Sequence, residues 1–246
     1  MARSGKKQPR EPLSRERIEE AALEVIERDG FDTFSTRKLA TELGCEAMSI
    51  YHYFPSKAHL TDALLDRVVR GTDLPPAGLP WLERLRRVAV GYRAAALRNP
   101  QFFKFAVLHR MNTATGLAYL ESVLAIFRDA GFDEERTARL FRALGYYIAG
   151  AALDEAAGYA RGPSAAEPVP AATAGRDYPL VTAVNPYFGA GKREATFDIG
   201  LEIMLDGIAR EHRAMVAGKG RATSGRSTGL ARRAGRASPS SRSSSR

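Results

Sequence analysis

The chain has 246 residues, 44% of them hydrophobic and 26% charged, and a formal net charge of +9 at pH 7. That length can support a sizeable core in one or two domains, no unbroken apolar run approaches the roughly 18 residues of a membrane helix, and residues 1–17 lack the apolar core of a secretory signal. A single cysteine, Cys45, excludes an internal disulfide and agrees with the cytoplasm as the expected compartment.

Charge is concentrated at the two ends. Residues 1–17 carry six basic and two acidic side chains, residues 218–246 carry eight basic and no acidic ones, and the body between them is mildly acidic. A polyanionic partner is therefore suggested. Residues 1–12 read as a flexible basic arm that would reach phosphates and add a salt-dependent term to affinity.

Leu13 and Ile18 then bracket Ser14 as a hydrophobic staple around a helix cap. Ile18, Ala21, Ala22, Val25 and Ile26 recur on one stripe, which predicts a helix to about Arg28 that ends at Asp29-Gly30. Phe31 and Phe34 follow as an aromatic plug. Residues 35–57 next show two short helices hinged at one glycine. Leu39, Ala40 and Leu43 form the inward side of the first, Ser35 caps it, and Gly44 supplies a left-handed exit. The second is predicted from about Glu46 to Tyr53, stopped by Pro55. Ile50 and Phe54 turn inward there, leaving Ala47, Met48, Ser49, Tyr51 and His52 outward. Such a pair fits the major groove of DNA, with Arg37 and Lys57 placed to meet phosphates on either side. The same pattern also fits a helical hairpin buried inside a larger helical protein.

Ser56 is placed to cap a fourth helix carrying Leu60, Leu64, Leu65 and Val68, which completes a first domain over 13–70. Residues 71–80 hold three prolines and two glycines and read as a linker. Beyond it the periodicity stays helical, with no strand signal of weight. Helices are expected at 81–98, from Pro100 to about Arg110, at 113–130 and at 133–159. A loop rich in Pro, Ala and Gly covers 162–190, and a last helix runs from Lys192 to about Val216, closing a second domain over 81–217. Residues 218–246, a low-complexity tract of Ser, Arg and Gly, have too few apolar residues to fold. They read as a DNA-affinity aid or an inert solvated end.

The run TRKLATELGCEAMSIYHYFPSK, followed by HLTDALLDRVV, resembles the DNA-binding domain of the tetracycline-repressor (TetR) family of bacterial transcriptional regulators. The shared pattern is Thr-Arg-x-Leu-Ala, Leu-Gly at the turn, Ser-Ile-Tyr-x-Tyr-Phe, and a Lys three residues beyond that Phe. The resemblance implies an all-α fold, with a three-helix helix-turn-helix domain followed by a helical ligand-binding and dimerisation domain. It implies base contacts from Arg37, Ala47, Met48, Ser49, Tyr51 and His52, and phosphate contacts from Thr36, Tyr53 and Lys57, on a near-palindromic double-stranded operator.

Residues 196–208 resemble the family's dimerisation helix, which implies a homodimer joined by four helices. The candidate seam is Phe197, Leu201, Met204, Leu205 and Ile208 on the last helix with Leu140, Leu144, Tyr147 and Ala151 on the long one. Gly200 and Gly207 would permit close approach. Periodicity equally allows both stripes to be buried within their own subunit.

Aromatic residues are dense in the second domain, as core or as the wall of an apolar pocket. The resemblance implies a small inducer, apolar or aromatic in character, and the candidate lining is Phe102, Phe105, His109, Asn112, Tyr146 and Tyr147. It implies no cofactor, and no metal, because Lys104 stands where the family's tetracycline-metal binders use a histidine. Nor do the residues suggest an enzyme. His52, His59, His109 and His212 are scattered, Asp154 and Glu155 are neighbours that point apart, and the tract 189–192 lacks the full phosphate-loop pattern. The reading is a ligand-responsive regulator, a repressor by expectation, set against a protein whose basic tail coats DNA without regard to sequence.

Overall fold

The computed structural model describes residues 12–158 and 165–234, with side chains described up to residue 218 except at residue 190. The arm over 1–12, apart from its last residue, and the tail beyond 234 therefore lie outside the described residues. Among the described residues eleven α-helices and two short 3-10 turns make up the regular structure, and no strand occurs.

The head is built from four helices: α1 (Arg15–Asp29), α2 (Thr36–Leu43), α3 (Ala47–Tyr51) and α4 (Lys57–Arg70). Each of α1, α2 and α4 starts at a serine in extended conformation, whose hydroxyl accepts a backbone N–H of the first turn: Ser14 from Arg17, Ser35 from Lys38 and Ser56 from His59. Gly44, at φ 62° and ψ 37°, makes the left-handed exit between α2 and α3, a conformation that costs a β-carbon-bearing residue energy. Ile18, Val25, Leu39, Ile50, Phe54, Leu60 and Leu64 close over one another as the head's core.

Helices α5 (Trp81–Arg98), α6 (Pro100–Ala106), α7 (Ala114–Asp129) and α8 (Glu134–Ala157) form the body with α11 (Arg193–Ala234). Its core gathers Leu85, Val88, Ile126, Phe127, Leu144, Ile148, Leu201 and Leu205. Arg93 makes a bidentate pair with Glu155 and lies over the Phe197 ring, tying α5, α8 and α11 together. Hydrogen bonding to that carboxylate raises the Arg93 pKa, so the cation is held. His212 Nε2 lies 3.0 Å from the Ala130 carbonyl and its ring packs on Trp81, a structural post for one of the four scattered histidines.

Three expectations need correction. Helix α6 ends at Ala106 rather than near Arg110, as a tighter turn through Leu108 and His109 takes over. The segment read as a loop over 162–190 contains α9 (Ala171–Asp177), α10 (Pro179–Val184) and the 3-10 turn Asn185–Phe188, while residues 159–164 lie outside the described residues. Proline misled here. Pro170, Pro179 and Pro186 sit at helix starts, where a missing N–H costs nothing, so they divide the segment into short helices instead of abolishing them. The last helix runs on to Ala234 rather than stopping near Val216. Met215 is the last buried side chain among those described.

Residues 71–80 lie between α4 and α5, and the helices on either side of them interlock. Phe102 of α6, 1% exposed, belongs to the head's core rather than the body's. Phe105 stacks on Phe31 with ring centroids 3.8 Å apart. The Glu27 carboxylate of α1 accepts the backbone N–H groups of Gln101 (3.0 Å) and Phe102 (2.9 Å), so a side chain of the head caps the start of α6.

Candidate functional site

The outward side of α3 carries exposed Met48, Tyr51 and His52, with Met48 66% exposed despite its apolar side chain. Ala47 and Ser49 are half-buried on the same short helix, and Ile50 beneath them is fully buried. The Thr36 and Tyr51 hydroxyls lie 3.2 Å apart, pinning the start of α2 to α3. Arg37, one residue further along α2, is exposed, and its guanidinium has no ion pair among the described residues. By contrast, Arg28 pairs with Asp29 and Glu42, and Lys38 lies 3.8 Å from Asp29. A cation held in no internal pair can be offered to a base edge or a phosphate without breaking one.

Two residues assigned to phosphate are partly committed elsewhere. The Tyr53 hydroxyl donates its one hydrogen to the Leu13 carbonyl at 2.7 Å, and it cannot donate that hydrogen to a phosphate while the bond holds. The Lys57 ammonium donates to the Phe34 carbonyl at 2.8 Å and sits over the Phe31 and Phe34 rings, 5.0 and 5.4 Å from their centroids. Two of its hydrogens remain. Lys57 is thus a structural clamp as well as an exposed cation.

Behind the head, α4, α5, α6 and α7 enclose an apolar cavity of about 80 Å³. Leu65, Val69, Tyr92, Phe103, Met111 and Tyr119 supply its wall. Of the six residues expected to line a pocket, only His109 is there. Phe102 and Phe105 point the other way, into the head; Asn112 is exposed, Tyr146 is 69% exposed on α8, and the Tyr147 hydroxyl donates to the Phe197 carbonyl at the α8–α11 contact. The signal was present but misread. Phe102 and Phe105 share one side of α6 by their i, i+3 spacing, whereas Phe103 is turned about 100° away towards the cavity, and Ala106 borders both. Burial, with Tyr119 nearby, pushes the Tyr92 phenol up to about 12, and burial also raises that of Tyr119. Both therefore stay neutral donors. Asp66 of α4 accepts from the Thr113 hydroxyl at 2.5 Å, and that same hydroxyl caps α7.

The expected dimer seam is also corrected. Leu144, Phe197, Leu201, Leu205 and Ile208 are buried in the body's own core, and Leu140, Tyr147, Ala151 and Met204 pack against it. A β-carbon at Gly200 would come within 2.6 Å of Cζ of Tyr147, so this glycine serves contact between α8 and α11 of one subunit. The unpartnered side lies on the far face of both helices. Tyr146 and Leu153 on α8 and Ile199 and Ile203 on α11 are exposed, and a β-carbon at Gly145 or Gly150 would meet open space.

No helix among the described residues is long and apolar enough to cross a membrane, and those residues hold no cluster of three potential metal ligands.

Comparison with known proteins agrees with this architecture. Residues 18–64 match the family described as bacterial regulatory proteins, tetR family, and residues 74–212 match the tetracyclin repressor-like C-terminal domain. The transcriptional repressor DrrR1 of Streptomyces coeruleorubidus is 29% identical over 60% of this chain, which spans 55% of that relative's length. The class A tetracycline repressor of Escherichia coli is 28% identical over 77% of this chain and 88% of its own. Among solved structures, a possible TetR family regulator from Streptomyces coelicolor A3(2) superposes with a TM-score of 0.67 at 27% identity, over 80% of this chain and 99% of that one. ActR of Streptomyces coelicolor in complex with actinorhodin shares the fold, with a TM-score of 0.64 at 22% identity, over 82% of this chain and 99% of its own. With its helix-turn-helix head and its helical body both matched, the chain belongs to the tetracycline-repressor family of bacterial transcriptional regulators.

Proposed function

We propose that this regulator is a homodimeric repressor, released from a near-palindromic operator when an apolar or aromatic inducer enters the cavity among α4, α5, α6 and α7. One observation carries the reading: α6 has two working sides. Phe102 and Phe105 lie in the head, Phe103 lines the cavity, and Ala106 borders both. A cavity of about 80 Å³ is far smaller than the roughly 300 Å³ at which small-molecule pockets begin. An inducer must therefore part α4 and α6 from α5 and α7. Both moving helices are attached to the head, one by the chain itself and the other by Phe102 and the Glu27 cap. Dilation thus changes the angle at which the recognition helices are held, and the inducer weakens operator binding by its preference for the dilated form.

A cavity-filling substitution tests this without knowing the inducer. Ala95, buried on α5 in the cavity wall, has no room for the three further carbons of a leucine unless the wall moves. Ala95→Leu is expected to lower operator affinity by about tenfold, with the dimer intact by light scattering; tenfold is about 1.4 kcal/mol, within the usual range of allosteric coupling. Unchanged affinity in a folded variant would reject the cavity as the control point.

At the DNA, Arg37 is assigned to a base edge and Lys57 to the backbone. Arg37→Ala is expected to cost about 1–3 kcal/mol on the cognate operator and to relax one base position. Lys57→Ala should weaken all sequences alike and flatten the salt slope by about one. It should also lower the melting temperature of the head, because the clamp on the Phe34 carbonyl goes with it. Binding titrations on an operator library at several salt concentrations separate the two, and identical profiles would refute the division. Similar affinity for all sequences would instead favour the DNA-coating alternative, whereas a repressor keeps a large specificity ratio after deletion of residues 218–246.

A further inference from the structure

Helix α3, with five residues, has little of its own to hold it together. The first turn of a helix fixes several dihedrals for few hydrogen bonds, so a helix this short is marginal by itself. Its cap residue Glu46 makes no side-chain hydrogen bond to the first turn, and a helix leaves its last carbonyls without partners of its own. Ile50 and Phe54 anchor the inward side, and the Thr36–Tyr51 hydroxyl pair ties α3 to α2. The backbone that leaves it is held from elsewhere. Arg15, in the first turn of α1, donates from Nη1 to the Tyr53 carbonyl at 2.7 Å, and its guanidinium lies 4.3 Å from the centroid of the Phe54 ring. The Tyr53 hydroxyl donates in turn to the Leu13 carbonyl at 2.7 Å. Two hydrogen bonds thus run in opposite directions between the start of α1 and the end of α3, across 38 and 40 residues of chain. A cation suits this place, because the C-terminal end of a helix carries partial negative charge and the face of an aromatic ring attracts a guanidinium.

We infer that Arg15 is a positioning residue for operator recognition: it reads no base itself, and it fixes the orientation in which α3 is offered to the groove. The inference rests on the assignment of base contacts to α3 made above. Hydrogen bonds to base edges require that helix in one orientation, whereas non-specific binding runs on phosphate charge and tolerates several. With the clasp intact, α3 arrives ordered. Without it, the sequence-specific complex has to order the end of α3 as it forms, and that cost falls on the cognate operator alone.

The test compares two variants of the full-length protein. Arg15→Met keeps a stem to lie on Phe54 but has neither donor nor charge, and Arg15→Lys keeps both. Affinity is measured, at several salt concentrations, for a duplex that the unaltered protein selects from a random library and for an unrelated duplex of the same length. Arg15→Met is expected to bind the selected duplex about tenfold more weakly, with its affinity for the unrelated one changed less than about twofold and its salt slope unchanged. Amide exchange should quicken in α3 and not in α4. Arg15→Lys is expected to recover most of the lost discrimination. A uniform loss on both duplexes, with the slope flattened by about one, would make Arg15 a phosphate contact and overturn the inference. A lower melting temperature with the ratio of the two affinities unchanged would reduce Arg15 to a structural group and overturn it as well, as would a lysine variant no better than the methionine one. If the unaltered protein selected no preferred duplex, base reading by α3 and its positioning by Arg15 would fall together.

Discussion

Replacing Phe102 by alanine is expected to destabilise the DNA-binding head, although the residue lies beyond the linker in the second half of the fold. The ring is 1% exposed and packs with the cluster that contains Ile18, Val25, Leu39 and Phe54. Truncating a fully buried phenylalanine costs about 3–5 kcal/mol, through lost transfer energy and the cavity left behind. That is a large fraction of the roughly 5–15 kcal/mol by which a domain of this kind is stable. The place of the loss matters more than its size. Amide exchange should accelerate in α1 and α2, whereas Phe127→Ala, in the body's core, should open the body and spare the head. If Phe102→Ala loosened only α5 to α8, the plug between the units would be passive and the proposed route from cavity to operator would lose its lever. Glu27→Gln probes the same joint more gently. It keeps the shape of the cap, removes its charge, and should loosen the start of α6 without emptying the core.

How far the residues alone led is clearest in the head. Ser14, Ser35 and Ser56 as caps, Gly44 as the left-handed exit, and Ile50 and Phe54 as the inward pair are local features. Their geometry depends on neighbours within about one helical turn, so a linear reading reaches them. The body defeated the same method for a definite reason. Periodicity reveals that Phe197, Leu201 and Leu205 share a side, but not whether the covering helix belongs to the same chain or to a second one. Here the most apolar stripe was taken by the chain's own core. The side left for a partner is weaker in pattern, an isoleucine pair on α11 with tyrosine, leucine and two glycines on α8. Phe102 and Phe105 failed similarly, because a contact across the linker has no trace in spacing. The segment read as a loop over 162–190 failed through its prolines, which break a long helix but start a short one.

That distinction makes Ile203→Arg the second decisive substitution. Ile203 is 63% exposed, so a charge there costs the monomer little, as surface changes usually stay within about 0.5 kcal/mol. In the proposed dimer it is otherwise. The two-fold axis brings the same surface of each subunit together, so two guanidinium groups would be buried close to one another with no counter-ion, at a cost of several kcal/mol. The variant is expected to be monomeric at micromolar concentration by light scattering, with its helix content and melting temperature nearly unchanged. Its operator affinity should fall by about 100-fold or more, because a single head loses the gain of binding the second half-site as a tethered event. A half-site duplex should show almost none of that loss, since the surface formed by Arg37, Met48, Tyr51 and His52 is untouched. Leu205→Arg supplies the contrast: Leu205 is 1% exposed within the body's core, and a charge there should unfold the subunit rather than separate it from a partner. If Ile203→Arg stayed dimeric while retaining full affinity, the exposed side of α8 and α11 would not be the seam.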